Sequence, residues 1–568
     1  MSRFPLRCIL PTSLRFLLVF CIALFVPGSF GQTEPPPKIH QHDSFDASLE
    51  SGQARTYSLI LESGDSALIV VRQIGIDVVV EVNNPKGEMI DSIDSPTGRY
   101  GDEIVEIAAA ESGEYSIRVR PFDANEPSGK YHLEFVFLHN ARQTAETLQN
   151  ATRWLARYSS EIPALGNVGE SPNLTPLDPL LRETRVLGIG EATHGSREFG
   201  DFRLSVTKRL IERSGFRIVA IEASESRYET LAPYIRGDVR RNAEITKRIE
   251  TGWIGRRSQR ELIELVRSWN QNHSRDRVRI IGIDAQDNQD SRETLGRFIE
   301  KAYGDNVRKR WKEAAAELSA ADQQTLVFGD SSVNPASRQF LLDLNAMLGV
   351  DAPVLQARFG ADFAAAKEAA QTLLEFADFN SNGEVATISH SRDWYMANRV
   401  LRSLQENGDA SKAVYWAHNA HVVHPKGSTP AAGGLLRDVL GCGYAAIAVT
   451  FGQGAFVAQI PNDLEDRLAV STLPQAPKVT VEALLSQLRP GASLVAWNCR
   501  LDQSETPEWF HISHRMHWVG ALYTPGRNPA QAFTPYSLLS DFDGIAYLPN
   551  VTADEVPADR PLIPARKR

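Results

Sequence analysis

Cysteine is scarce in this chain, with four residues in 568, and two of them, Cys8 and Cys21, stand close to its start. The other pair, Cys442 and Cys499, is too small to form a disulfide scaffold and shows no metal-ligand spacing. It reads as two separate buried thiols, with a single disulfide as the alternative in an oxidising compartment. Basic charge is not in excess: the formal net charge is −9, which excludes the positive face that nucleic-acid binding needs. Internal repeats and low-complexity tracts are missing. Phe16 to Val26, the long apolar run, is too short to span a bilayer. No GxSxG elbow occurs, which argues against a serine triad, and no HExxH helix, the usual frame of a zinc hydrolase.

What is present begins with a leader. Arg3, Arg7 and Arg15 precede the apolar run, and Pro27-Gly28-Ser29-Phe30-Gly31 supplies small residues for cleavage after Gly31. Residues 1–31 are thus expected to be removed, leaving a net charge of −12 and an exported protein, periplasmic or extracellular, without a membrane span. A proline-containing linker follows. Over residues 43–138 short alternating runs, Thr56–Leu61, Ser66–Val71, Asp77–Val82, Ser116–Arg120 and Tyr131–Phe135, are separated by turns and predict an antiparallel β-sandwich. Gly113–Val119 and Ser128–Tyr131 resemble the bacterial pre-peptidase C-terminal type of domain. Asp77, Asp91, Asp94 and Asp102 read as surface loop charges, with calcium as the alternative. No catalytic cluster falls here, so a chain shortened to begin near Ala141 is expected to keep any activity.

Residues 139–180 form a helical linker, with Ala141, Ala145, Leu148 and Leu155 on one stripe. From 181 to 555 strands alternate with helices: Val186–Ile189, Arg217–Ile221, Val278–Ile283, Ala413–Trp416 and Ala445–Val449, with weaker runs at Ser493–Trp497 and Gly544–Leu548. This predicts an α/β domain on a largely parallel sheet, with a helical insertion at about 288–380.

The organising stretch is RVLGIGEATHGSREFGDFRLSVTKRL, Arg185 to Leu210. A buried strand runs into a polar bend bearing Glu191 and His194, and Ser196 caps a helix. Arg203 shares the core-facing stripe of that helix with Phe199, Val206 and Leu210, and an arginine there is costly unless it meets an anion. In open α/β sheets ligands bind beyond the carboxyl ends of the strands. There the second strand delivers Glu222, the third Asp284 and Gln286, the fourth His418, Asn419, His421 and His424, and the fifth Thr450 and Gln453. Histidine suits water activation near neutral pH, and Arg203 with protonated His418 or His421 could stabilise an oxyanion. His418, His421 and His424 at three-residue spacing could instead hold a divalent metal. His424 otherwise reads as solvated, and His511, His514 and His517, at helical spacing, as structural or as part of an aromatic wall.

GEATHG, the helix with Arg203, AIEAS, WAHNAHV and GGLLRDVLGCGYAAIAVTFGQG resemble the erythromycin esterase family. That resemblance implies a hydrolase opening an ester or macrolactone with His-activated water and no covalent intermediate, with macrolide resistance as a role. It implies catalytic His194, Glu191, Glu222, Arg203, His418 and His421. Asp284, Asn419, Trp253 and Gln453 are the substrate-binding candidates, with the cavity lined from residues 288–380 and 509–524. The bend also resembles haem-binding ChaN-like proteins, so a metal- or haem-binding envelope protein, or a non-catalytic binding protein, is the competing reading. No cofactor and no oligomeric state is implied.

Overall fold

The computed structural model describes residues 35–563, apart from residues 96, 124, 163–173, 253–255, 329–330, 381–390, 409, 426–430, 462, 464–466, 498 and 561. The expected leader and Trp253 lie outside the described residues.

Eight strands fill the N-terminal unit: β1 (Ser44–Leu49), β2 (Arg55–Leu61), β3 (Ser66–Ile74), β4 (Val78–Asn83), β5 (Met89–Ile93), β6 (Tyr100–Ala108), β7 (Gly113–Pro121) and β8 (Gly129–His139). They pair into two antiparallel four-stranded sheets, ordered β1-β8-β3-β6 and β2-β7-β4-β5. Alternate side chains such as Val71, Val80, Val105, Ile117 and Leu133 meet between them in a dry core. β5 and β6 escaped the pattern reading because Asp91, Asp102, Glu103 and Glu106 interrupt their apolar residues. β5 and β6 each form one edge of their sheet, with β2 and β1 at the opposite edges.

A capping box between Asn140 and Gln143 starts the linking helix, Ala141–Ala156, which buries Ala151, Trp154 and Leu155. The expected stripe is displaced: Ala141 and Ala145 are exposed, and the last turns make the contact.

The second unit is built on a mixed sheet ordered β12-β11-β13-β10-β14-β19-β16-β9. Its strands are β9 (Ser159–Glu161), β10 (Val186–Ile189), β11 (Ile218–Ser224), β12 (Arg279–Asp284), β13 (Ala413–Trp416), β14 (Tyr444–Gln459), β15 (Leu468–Leu473), β16 (Ser493–Ala496) and β19 (Gly544–Val551); β17 (His514–His517) and β18 (Phe533–Tyr536) form a separate hairpin. Pairing is parallel from β12 to β19 and antiparallel at β16, β9 and β15. Both faces are covered. Leu187 and Ile189 of β10 enter one core with Ile447 and Val449 of β14, while Val186 enters the other with Ala446 and Ala448. Burial on both sides explains why these strands read as continuous apolar runs. The helices between Gln289 and Phe379 enclose a third core, with Leu318, Leu341, Leu344, Leu373 and Phe376.

Two expectations are corrected. β14 runs ten residues past Val449, to Gln459, because its second half leaves the parallel core to pair with β15. Cys442 and Cys499 are not separate thiols. They form a disulfide across 57 residues, joining the turn before β14 to the loop after β16; two positions so far apart in sequence give no sign of proximity. A crosslink closing a loop of this length stabilises by about 4 kcal/mol through the unfolded chain. Reduction under native conditions should therefore lower the denaturant midpoint by a clearly measurable step. An unchanged midpoint with free thiols titrated would contradict that expectation.

Candidate functional site

The strand–bend–helix stretch places its polar groups through close backbone packing. A Cβ on Gly190 would sit 2.0 Å from Asn419 Oδ1, and one on Gly195 1.8 Å from the Val457 carbonyl oxygen. Only glycine lets the bend lie this near β14. Inside the bend, the His194 Nδ1 is 2.6 Å from Glu191 Oε1, and the other Glu191 oxygen lies 2.5 Å from an Arg203 Nη1. Arg203 also rests over the Trp416 ring, 4.7 Å from its centroid. Burial opposes the Glu191 charge, but Arg203 and His194 outweigh it and lower its pKa. Burial likewise lowers Arg203, against the pull of Glu191 and Glu222. Arg256 donates to the His194 carbonyl.

A second cluster gathers at the ends of β11, β12 and β13. Glu222 accepts from the His418 backbone N–H at 2.8 Å and from Arg392 at 2.9 Å, and lies 3.3 Å from His421 Nε2. Burial works against its charge, yet His421 and Arg392 hold the carboxyl well below the usual range. Asp284 accepts from Arg392 Nε at 3.1 Å. His421 Nδ1 is 2.8 Å from Asp393, which also accepts from the Ala432 N–H. Against burial, Asp393 and Glu222 raise the His421 pKa to about 10.

His418 behaves in the opposite way. Its Nδ1 accepts from the Ala420 N–H at 3.2 Å, so its Nε2–H donates to the Ala192 carbonyl at 3.2 Å. Burial, with His194 only 5.4 Å away between ring centroids, drops its pKa to about 3. Of the two histidines offered as the protonated donor, the surroundings favour His421; burial disfavours a charge on His418, whose two nitrogens are both engaged.

His194, Glu222, Asp284, Arg392, His418 and His421 line one cavity of about 560 Å³ together with Trp518–Thr524, Asp287, Thr325, Arg527 and Arg560. Glu191 and Arg203 stand behind it. Two substrate-binding candidates fall elsewhere. Asn419 is fully buried and exchanges hydrogen bonds with the Val449 backbone at 3.0 and 3.1 Å, which fastens the His418–His421 turn to β14. Gln453, on the extension of β14, is exposed and bonds Asn550. Thr450 is buried against Glu482. His424 is not solvated: it is buried against Asp543, 2.9 Å away, and Arg437. His514 and His517 lie on β17 rather than a helix, and are buried against Glu106 and the Phe451 carbonyl. His418, His421 and His424 do not converge, and among the described residues no group of three or more His, Cys, Asp or Glu side chains is arranged as a metal site.

Arg392, Asp393 and Arg256 were missed by sequence reading. Arg392 and Asp393 open an ordinary amphipathic helix, Arg392–Glu406, and arginine or aspartate in a first helical turn carries no signal of its own.

With the geometry in place, comparison with known proteins is informative. A Bacillus cereus protein superposes with a TM-score of 0.58 at 17% identity, over 72% of this chain and 99% of its own. Erythromycin esterase EreC, in an open conformation, aligns over 70% of this chain and 99% of its own at 19% identity, with a TM-score of 0.49. The pre-peptidase C-terminal domain of a Bacillus anthracis collagenase aligns with 19% of this chain and 96% of its own at 16% identity, with a TM-score of 0.15. At 17% identity the Bacillus cereus match speaks of fold alone. The family model of erythromycin esterase matches residues 211–551, a span that holds Glu222, Asp284, Arg392, His418 and His421, and the chain belongs to the erythromycin esterase family.

Proposed function

We propose that this protein hydrolyses a carboxylic ester or macrolactone by direct attack of water, with His194 as general base. The observation that carries the reading is the different surroundings of the three imidazoles around one cavity: a carboxylate backed by an arginine at His194, two carboxylates at His421, and backbone groups at His418. His194 donates Nδ1–H to a carboxylate kept ionised by Arg203, which fixes the tautomer whose Nε2 lone pair takes a proton from water. His421 is held as a cation by Asp393 and Glu222 and, with Arg392, supplies donors where the carbonyl oxygen gains charge. His418 stays neutral and braces the bend through the Ala192 carbonyl. Separated acid and base states at one site are what hydrolysis without a nucleophilic side chain requires. The family name makes a macrolactone the first substrate to test. Export is part of the same proposal, and a Cys442–Cys499 disulfide suits an oxidising compartment.

His194→Ala should lower kcat by ~10²–10⁴-fold with little change in KM, measured against a panel of macrolides and simple esters. Turnover near the wild-type level on the true substrate would rule out the mechanism.

The rate should also fall on the alkaline side as His421 loses its proton near pH 10. Because its folded pKa is raised, the His421 contribution to stability is full below the unfolded imidazole value of about 6.5. It declines above that value and is gone as pH passes about 10. Thermal melts of wild type and His421→Gln across that window should converge at the alkaline end.

Arg203→Ala leaves Glu191 buried without its cation. Removing one partner of a buried pair costs about 3–5 kcal/mol, so urea midpoint and activity should drop together. A variant of normal stability would show that Glu191 does not depend on Arg203.

A further inference from the structure

The sandwich holds no catalytic group, yet it is bound to one wall of the cavity. One edge strand of each sheet, β5 and β6, reaches the β17–β18 hairpin. On β5, Asp91 takes both Arg515 terminal nitrogens, at 2.6 and 3.2 Å, and Arg515 is only 2% exposed. On β6, Glu106 meets His514 Nδ1 at 2.6 Å, while the His514 ring stacks on Trp509 at 3.7 Å. Between those strands, Asp94 lies 3.7 Å from Arg527, which itself lines the cavity. The reading of Asp91 and Asp94 as surface loop charges is thereby overturned.

The segment fixed at these points, residues 514–527, runs along the cavity between them. Its middle is tied to the bend of Glu191 and His194, with the Val519 N–H donating to the Ala192 carbonyl at 2.9 Å and Thr193 bridging Gly520. Its far part is tied to β14, with the Tyr523 N–H donating to the Gln459 carbonyl at 2.9 Å. Trp518 meets the His418 ring edge to face at 5.5 Å. One continuous strip of chain thus connects the sandwich edge, the cavity-lining Arg527, and the bend bearing His194.

We propose that the sandwich is a working part of substrate binding: Asp91, Asp94 and Glu106 are positioning residues that hold the 514–527 wall in place and so set which esters the cavity admits. A rigid wall matters most to an ester large enough to touch it, because misplacement is felt through binding and orientation of the bulky part. A small ester reaches the reacting groups without it. Truncation to a chain beginning near Ala141 would strip Arg515 of Asp91 and His514 of Glu106 and uncover that wall, against the expectation from sequence that the sandwich is dispensable.

The proposal rests on the hydrolase reading for its kinetic arm only. In the full-length chain, Asp91→Asn with Asp94→Asn should speed amide exchange at Val519 and Tyr523 about tenfold, while Ile447 in the central sheet keeps its protection. The KM for erythromycin should rise about tenfold with kcat changed far less, and hydrolysis of p-nitrophenyl acetate should fall by no more than about twofold. Asp91→Glu, retaining the carboxylate, should restore most of the lost binding. Unchanged exchange at Val519 and Tyr523, or equal losses on large and small esters in a folded variant, would overturn the proposal. If the wild type hydrolyses neither ester, the hydrolase reading fails and the exchange measurement alone decides the role of the sandwich.

Discussion

A carboxylate buried in the bend that bears His194 is the constraint on which the rest of the site depends. Glu191 is buried, and desolvation alone would push its pKa up. Arg203 prevents that by approaching from the helix that follows the bend, so the sign of one side chain fixes the state of the next. An ionised Glu191 orients His194; a protonated one would have no reason to hold Nδ1–H. The arginine is in turn supported by Glu191 and Glu222 and by the ring face of Trp416. Three elements that are distant in sequence therefore have to pack correctly before a single imidazole acquires its tautomer.

The second half of the site is organised by the same logic with the signs arranged differently. Glu222 is shared among a backbone N–H, an arginine and an imidazole, and that sharing lets two cations stand close together in a buried place. His418 and His421 are three residues apart on one short turn, but one sits against a carbonyl and the other against two carboxylates. Their chemistry diverges because of what faces them, not because of what they are.

The parts that sequence made legible share one property: each is announced by its own neighbours. The apolar runs of β10, β11, β12 and β13 end in polar residues, and a parallel sheet brings such ends to one edge whatever the loops between them do. An arginine on an apolar stripe is likewise conspicuous without coordinates. The parts that stayed hidden depend on pairings that leave no local trace. Arg392 enters the site only because its helix begins there. Asn419 shares a motif with two site histidines and yet spends its amide on the backbone of β14. Gln453 follows a run of strand residues that seemed to end and did not. Cys442 and Cys499 needed the sheet to be assembled before their proximity could appear. The sandwich was legible as a fold from alternation alone, whereas the strands that matter to the neighbouring unit were the ones whose acids broke the alternation.

The position of those acids has a consequence for the order in which the chain is made. The sandwich leaves the ribosome first, and domains generally fold in that order. β5 and β6 then wait uncovered until the hairpin that shields them has been synthesised. An unpaired edge strand is a template for joining another chain. Asp91 on β5 and Glu106 on β6 place a negative charge on each of these edges, so two such edges brought together would oppose like charges in place of complementary ones. When Arg515 and His514 arrive, the same carboxylates that repelled a stranger become the contacts that admit the chain's own hairpin.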